Sequence, residues 1–118
     1  MAFRFQRFPV YKDIKKYIRN IYSLSSNLPK TEQFGLTNQL RRAATSIALN
    51  LAEGSDRGSD REFKRFIQMS IGSLNETIAI LDISLENWFI TKKNYDIMIT
   101  QAESVVKQLS GLRKSMKS

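Results

Sequence analysis

The chain has 118 residues, with 19 lysines and arginines against 11 aspartates and glutamates, and therefore carries a net charge of +8. It contains no cysteine and no histidine, which excludes disulfides, thiol nucleophiles, zinc fingers and histidine-based acid–base catalysis, and we expect neither a metal nor a cofactor. The length suits a single domain over residues 1–118, and without an apolar run of about 20 residues or a signal-peptide core we expect a cytoplasmic protein outside the membrane.

The first expected helix covers about residues 9–27. Pro9 suits its first turn, and apolar side chains then recur at the helical period as far as Leu28. The opposite face of this helix is basic and consists of Lys12, Lys15, Lys16 and Arg19. Such a stripe is either an ordinary solvated face or a surface that binds polyanions. Three aromatic residues before the helix either form a short extended arm or tuck onto the other helices: Phe3, Phe5 and Phe8.

The second expected helix, about residues 36–53, has no face that resembles an ordinary solvent-facing surface. It is rich in alanine, serine and threonine and poor in charge. A four-helix bundle buries one stripe of each helix, so this composition indicates that other subunits cover much of the remaining surface. We expect one polar stripe to form a hydrogen-bonded network that supplies register in an oligomer: Gln39, Arg41, Arg42, Asn50 and Glu53.

Two interpretations of that polar stripe remain open. Arg41 or Arg42 forms an ion pair with Glu53, within or between chains, and so fastens the packing. Alternatively the stripe is catalytic, although it lacks a nucleophile partner, a cluster of metal ligands and a glycine-rich phosphate loop. Gly54, directly after the stripe, suits a left-handed residue that ends the helix.

The third expected helix, about residues 59–88, has the clearest start. Ser59 and Glu62 fit a capping box, and an apolar seam runs at near-heptad spacing from Phe63 to Trp88. The first turns place a second basic group opposite the seam: Arg61, Lys64 and Arg65. Further along, the charges are acidic, and three apolar residues are expected off the core face: Met69, Ile80 and Ile83. These three indicate either an interaction surface or an ordinary scatter of surface hydrophobes.

The fourth expected helix, about residues 92–116, completes an all-α protein. Thr91 suits its N-cap, and a regular apolar seam runs from Tyr95 to Met116. Its last turn and the tail are basic, which favours the negative end of a helix dipole. The positive charge of the chain is therefore concentrated in the first helix, at the start of the third and in the fourth.

Several of these motifs together resemble one known family. They are Gln39-Leu40-Arg41-Arg42-Ala43-Ala44, Asn50-Leu51-Ala52-Glu53-Gly54, and Glu62-Phe63 with Arg65-Phe66. The pattern resembles the four-helix-bundle proteins encoded in intervening sequences of bacterial large-subunit ribosomal RNA genes, the S23 ribosomal protein family, and is similar to the accessory variability determinant proteins of diversity-generating retroelements. The resemblance extends over nearly the whole chain. It implies an antiparallel up-down-up-down bundle that assembles into a homopentameric ring, nucleic-acid binding in the retroelement branch, and no enzymatic activity.

The charge and the resemblance together favour a non-enzymatic, oligomeric protein that binds RNA or DNA electrostatically, without strong sequence readout. The residues expected to contact phosphates are Lys12, Lys15, Lys16, Arg19, Arg61, Lys64 and Arg65. The alternative is a protein-interaction scaffold that docks a partner such as a reverse transcriptase or a ribonucleoprotein. An enzyme is not expected, because the chain offers no recognisable catalytic site.

Overall fold

A computed structural model describes residues 3–117, which form four α-helices, two short 3₁₀ turns and no strand. The helices are α1 (Pro9–Ser25), α2 (Leu36–Ser55), α3 (Asp60–Glu86) and α4 (Lys92–Ser115), and the turns are Arg4–Arg7 and Lys30–Glu32. The expectation of an all-α protein with four helices is confirmed. In the part of the chain described, no helix is long and apolar enough to cross a membrane.

Each helix packs against two of the others. Helix α1 contacts α2 and α4, and helix α3 contacts the same two helices, so that α1 and α3 lie on a diagonal. The molecule measures 44 × 24 × 24 Å along its principal axes. The space between the helices is filled mostly by aliphatic side chains, each of which contributes about 1.5–3 kcal/mol when fully buried. The fully buried ones include Ile14, Ile21, Leu40, Ile47, Leu51, Ile67, Leu74, Leu81 and Leu109.

A row of small hydroxyl side chains on α3 crosses this apolar core. Ser70, Thr77 and Ser84 are spaced seven residues apart and are completely buried. Ser70 Oγ donates to the Ile47 carbonyl of α2 at 2.8 Å. Thr77 Oγ1 donates to the Leu74 carbonyl and lies 2.8 Å from the Tyr17 hydroxyl, which therefore donates to it. These bonds tie α3 to α2 and α1 at defined positions.

Ser59 and Thr91 cap α3 and α4 as expected, but the Glu62 carboxylate bonds to Arg65, so only the Ser59 half of the expected capping box is present, and the end of α2 differs from expectation. Ser59 Oγ accepts from the Glu62 N–H at 3.2 Å, and Thr91 Oγ1 accepts from the Asn94 N–H at 3.1 Å. Helix α2 continues through Gly54 to Ser55, and no glycine in residues 3–117 has a positive φ, so the expected left-handed glycine is wrong. Gly54 is required for a different reason, because a Cβ there would overlap Phe66 Cβ of α3.

Two assignments on the α3 seam are also wrong. The sequence predicts Trp88 in the core, but α3 ends at Glu86 and Trp88 is 92% exposed. It predicts Ile80 off the core face, but this residue is buried. Ile80 is buried because α3 packs against two helices, so its buried face is wider than a single heptad seam. Trp88 leaves the seam because α3 ends before it and its backbone is left-handed. Met69 and Ile83 are exposed, as expected.

The segment before α1 tucks onto the bundle instead of extending from it. The Arg4–Arg7 turn contacts α1 and α2. The Phe5 ring meets Tyr11 edge-on at 5.1 Å between centroids, and the Phe8 ring lies 5.9 Å from that of Phe63. The aromatic residues thus attach the turn to α1 and α3. Residues 1 and 2 lie outside the part of the chain described.

Candidate nucleic-acid interface

The basic stripe of α1 faces away from the rest of the bundle. Its members Lys12, Lys15, Lys16 and Arg19 are all exposed. Lys15 Nζ lies 4.8 Å from the Tyr11 ring centroid, which favours one position of its flexible side chain. The nearby acidic residue, Asp13, turns toward α4 and accepts from Gln108 Nε2 at 2.8 Å. The stripe therefore presents four positive charges to solvent along about two turns of helix.

The second basic group lies at the start of α3 and is partly paired. Arg61 and Arg65 are exposed, and Lys64 is half-buried. Arg65 donates to both carboxylate oxygens of Glu62 at 3.2 and 3.3 Å. This bond lowers the pKa of Glu62, and the carboxylate in turn raises the pKa of Arg65. Glu62 thus turns toward Arg65, and the Ser59 hydroxyl supplies the side-chain part of the cap.

Aromatic rings hold Arg65 and two further arginines, Arg57 and Arg4, that sequence reasoning did not assign to the site. The Arg57 and Arg65 guanidinium carbons lie 4.7 and 4.8 Å from the Phe66 ring centroid. Arg4 lies 5.1 Å from the centroid of the neighbouring Phe63 ring. A guanidinium that rests on a ring is held in a defined position, and here Arg65 and Arg57 also donate to Glu62 and Glu53. A sequence signal for this arrangement was the pair of phenylalanines flanked by arginines.

The two predicted basic groups do not form one continuous surface. Helices α1 and α3 lie on a diagonal, and their inner faces meet in the core through Tyr17 and Thr77. Their outer, basic faces therefore point in opposite directions. The structure brings Arg61 and Arg65 together with Arg57, all of which act electrostatically on Glu62, but it separates them from the α1 stripe.

Contacts between helices identify the segments that lie side by side along the bundle. One set of pairs joins α1 to α4, another joins α3 to α4, and a third joins α2 to α3. The pairs are Asp13 with Gln108, Asn20 with Gln101, Asp60 with Lys117, Asp82 with Tyr95, and Ile47 with Ser70. The pairs Asp13–Gln108, Asp60–Lys117 and Ile47–Ser70 lie in one half of the molecule's length, and the pairs Asn20–Gln101 and Asp82–Tyr95 lie in the other.

The charge is distributed very unequally between the two halves. The half made of residues 3–17, 46–74 and 104–117, called the basic half below, contains thirteen basic and five acidic residues. The other half, residues 18–45 and 75–103, contains six of each and is called the neutral half. The basic half therefore carries the entire net charge of +8. Of the predicted phosphate contacts, only Arg19 lies outside it, next to the boundary.

The polar residues of α2 do not bond to one another within a chain. Arg41 Nε donates to Ser25 Oγ of α1 at 2.7 Å, and its guanidinium lies over the Tyr22 ring. Asn50 Nδ2 donates to a carbonyl of its own helix, and Glu53 pairs with Arg57. Gln39 and Arg42 are exposed, and Leu49 on the same helix is 65% exposed. A network between chains stays a prediction, and this face of α2 is open to receive one.

The part of the chain described, residues 3–117, has no group of three or more His, Cys, Asp or Glu side chains placed to hold a metal ion. Its distinguishing chemistry is a concentration of lysine and arginine on two opposite faces of one half. Such a surface can bind the phosphates of a polyanion but has no arrangement of base-reading side chains that the geometry singles out.

Comparison with known proteins gives one family match. The family model described as 23S rRNA-intervening sequence protein matches residues 6–111. A crystal structure from Bacteroides thetaiotaomicron, described as a protein with unknown function from the S23 ribosomal protein family, superposes with a TM-score of 0.82 at 22% sequence identity. The match covers 90% of this chain and 99% of that chain, and at this identity it concerns the fold. The search of curated proteins found no match.

Proposed function

The chain belongs to the 23S rRNA-intervening sequence protein family, and from that premise we propose that it is a cytoplasmic, non-enzymatic protein that binds RNA or DNA through its basic half. The observation that carries the proposal is the confinement of the whole +8 charge to one half of the bundle. A basic region of this density releases counterions from a nucleic acid and gains affinity from that release. Binding of this kind depends strongly on salt and weakly on base sequence.

The α1 stripe is the part of this surface with the fewest internal partners for its charges. Lys12, Lys16 and Arg19 are exposed, whereas Arg65 and Arg57 share their charges with Glu62 and Glu53. Exposed ion pairs are weak and exchange readily, so the two arginines remain able to contact phosphates. We therefore assign the largest contribution to the α1 stripe and a supporting one to the arginines around Phe66.

Matched lysine variants test this assignment. One variant removes three charges from the basic half (Lys12→Gln, Lys15→Gln and Lys16→Gln), and the control removes three exposed lysines from the neutral half (Lys30→Gln, Lys92→Gln and Lys93→Gln). Fluorescence anisotropy with a labelled RNA and a labelled DNA duplex is measured at several salt concentrations. We expect the first variant to bind about 10–100-fold more weakly at about 0.1 M salt. The slope of the logarithm of its association constant against the logarithm of the salt concentration should become less negative by about 2–3.

The control variant keeps most of the affinity because its lysines lie in the half without net charge. Equal losses in the two variants would contradict the assignment to the basic half. Absence of salt-dependent binding by the unmodified protein to RNA, single-stranded DNA and duplex DNA would refute the function itself.

We further propose an antiparallel up-down-up-down bundle that assembles into a homopentameric ring. The pairs between α1 and α4 support the antiparallel order, since Asp13 meets Gln108 whereas the later residue Asn20 meets the earlier residue Gln101. The pairs between α3 and α4 follow the same rule. The ring is implied by the resemblance to the S23 family, and it is supported by the open face of α2 around Leu49.

A further inference from the structure

Trp88 occupies a backbone position that normally belongs to glycine. Helix α3 ends in a Schellman motif, in which the Phe89 N–H donates to the Ser84 carbonyl at 2.9 Å and the Trp88 N–H to the Leu85 carbonyl at 3.1 Å. The residue between these bonds must adopt the left-handed conformation, and Trp88 has a φ of 63°. A side chain with a Cβ is strained there, so this residue lowers the stability of the fold.

The fold receives nothing in return from the indole ring. Trp88 is 92% exposed, so its large apolar surface is left in water. A strained and exposed tryptophan is typical of a contact that forms with a partner, because tryptophan is among the strongest anchors of protein interfaces. The ring lies beside Leu85 in a shallow depression that Asp82, Glu86 and Lys92 also line.

The charges around Trp88 indicate what kind of partner fits. Between residues 68 and 91 the chain carries three acidic residues and no basic one. Lys92 is paired with Asp96, and Asp82 accepts from the Tyr95 hydroxyl. Acidic side chains next to the ring repel phosphates, which disfavours base stacking by a nucleic acid. The partner needs an apolar depression within a positively charged surface.

This chain itself contains an apolar depression on its basic half. A groove of about 780 Å³ runs between the N-terminal turn and the end of α2. Its apolar lining includes Phe3 and Leu49, which are 62% and 65% exposed, together with Ala52. Arg4 and Arg57 border it together with Glu53 and Asp56, and Glu53 is paired with Arg57, so the positive charge comes from the surrounding half and not from the lining itself. The groove has room for an indole ring and lies in the half that carries the +8 charge.

We propose that Trp88 of one copy of this chain inserts into the Leu49 groove of a second copy. The proposal rests on the self-association stated under the proposed function and names the contact that builds it. Trp88 and the groove lie in opposite halves of a molecule 44 Å long, so one chain does not satisfy both. Each copy then offers one indole ring and one groove. This is a head-to-tail arrangement, which either closes into an oligomeric ring or continues as an open chain of subunits.

A pair of single variants tests the contact. Trp88→Gly removes the ring, and Leu49→Glu places a charge in the groove. Each variant is expected to weaken self-association at least about 10-fold in analytical ultracentrifugation, since truncating a central aromatic anchor has an effect of this size or larger. Phe34→Ala serves as the control, because Phe34 is 89% exposed but belongs to neither surface; it should assemble like the unmodified protein.

Mixing the variants distinguishes this head-to-tail contact from a symmetric one. The Trp88→Gly chain keeps an intact groove, and the Leu49→Glu chain keeps the indole ring of Trp88. Their equimolar mixture should form dimers with a single contact and nothing larger. A mixture that stays monomeric would overturn the proposed pairing of ring and groove.

Two further readouts are independent of any failure to fold. Trp88 is the single tryptophan of the chain, so its emission should shift to shorter wavelength when the protein assembles and return on dilution. In a Leu49→Glu background, where assembly is blocked, adding Trp88→Gly should raise Tm by about 3–6 °C through relief of strain. An unchanged or lower Tm would contradict the strain on which the argument depends.

The possible failures separate this inference from the proposed function. An unmodified protein that is monomeric at all concentrations overturns both the ring and this contact. An oligomer that persists in Trp88→Gly, with Trp88 emission in the unmodified protein unchanged on dilution, overturns this contact alone and leaves the ring in place. Nucleic-acid binding is measured separately and is not decided by either result.

Discussion

The Tyr17 hydroxyl shows how burial sets the chemistry of a single group. The side chain is fully buried between the helices, and its O–H meets Thr77 Oγ1 at 2.8 Å. Burial disfavours the phenolate and raises the pKa of Tyr17 to about 12, although the hydrogen bond with Thr77 opposes the shift. In the unfolded chain a tyrosine titrates near pH 10, so the folded protein holds this proton more tightly.

We expect the stability of the protein to decline at high pH through Tyr17. Because the folded pKa is raised above the unfolded value, the contribution is complete below about pH 10 and is lost as the pH rises through about 12. A shift of this size corresponds to roughly 2–3 kcal/mol of unfolding free energy. Urea unfolding over that pH range measures the decline.

Tyr17→Phe is the matched control for this prediction. The variant lacks the ionisable group, and Thr77 Oγ1 keeps its bond to the Leu74 carbonyl. Its stability should fall less steeply between about pH 10 and 12. Parallel curves for the two proteins would mean that Tyr17 is not the group responsible.

Trp88, in contrast to Tyr17, lowers the free energy of unfolding. Its left-handed backbone costs about 1–2 kcal/mol relative to glycine, and its exposed ring regains none of this by burial within the chain. Single residues therefore differ in what they contribute. Tyr17 supports the fold, whereas Trp88 weakens it, and the role we propose for its ring is in an interface.

Among the elements, the contact between α2 and α3 depends most visibly on one small residue. Gly54 is buried, and a Cβ at this position would overlap Phe66 Cβ and press on the Phe63 ring. Both phenylalanines also support arginines, Arg57 on Phe66 and Arg4 on Phe63. The close approach of the two helices therefore sets both the core packing and the position of the charged groups above it.

We expect Gly54→Ala to destabilise the protein by about 1–3 kcal/mol, because the backbone of α2 has to move away from α3. The higher helix propensity of alanine does not offset this overlap. Chemical unfolding monitored by circular dichroism measures the effect. Affinity for nucleic acid should also fall, since a movement of α2 away from α3 displaces Arg57 from the Phe66 ring on which it rests.

Gly111→Ala provides the matched control, since Gly111 lies in α4 and a methyl group at this position would have no neighbouring atom within 4 Å. It should stabilise the protein by about 0.5–1 kcal/mol through helix propensity alone. If both variants changed stability in the same direction, close packing would not be the reason for glycine at position 54.

For the whole molecule, the separation of charge is the property from which the proposed functions follow. We propose that the basic half binds polyanions, and the neutral half carries the exposed ring of Trp88. One molecule thus has a surface suited to phosphates and another suited to an apolar partner. A ring would repeat both surfaces and multiply the weak phosphate contacts along one nucleic acid.

We expect the protein to have the mass of a pentamer in solution, about five times the 13.6 kDa of one chain. Multi-angle light scattering or native mass spectrometry measures it directly. The number five is what the resemblance to the S23 family implies, and the physical reason to expect self-association is the open face of α2, where Leu49 is 65% exposed and the polar residues do not bond to one another. A mass of one chain at all concentrations would contradict the ring, and another multiple would correct its number.

The sequence by itself determined the four helices, the caps at Ser59 and Thr91, and most of the core seams. These features depend on local periodicity and on bonds between residues close in the chain, which a sequence displays directly. It also identified the basic stripes of α1 and α3. The family was recognisable because its motifs are contiguous around Arg41 and Glu53.

The tertiary structure alone decided how these parts combine. It placed Ile80 in the core, because the width of the buried face of α3 depends on its two neighbouring helices. It gave Gly54 its role through Phe66, a residue on another helix. It also divided the charge into a basic and a neutral half, since distant segments of the chain lie side by side only after folding. Contacts between residues far apart in sequence decide all of these properties, and no local pattern encodes them.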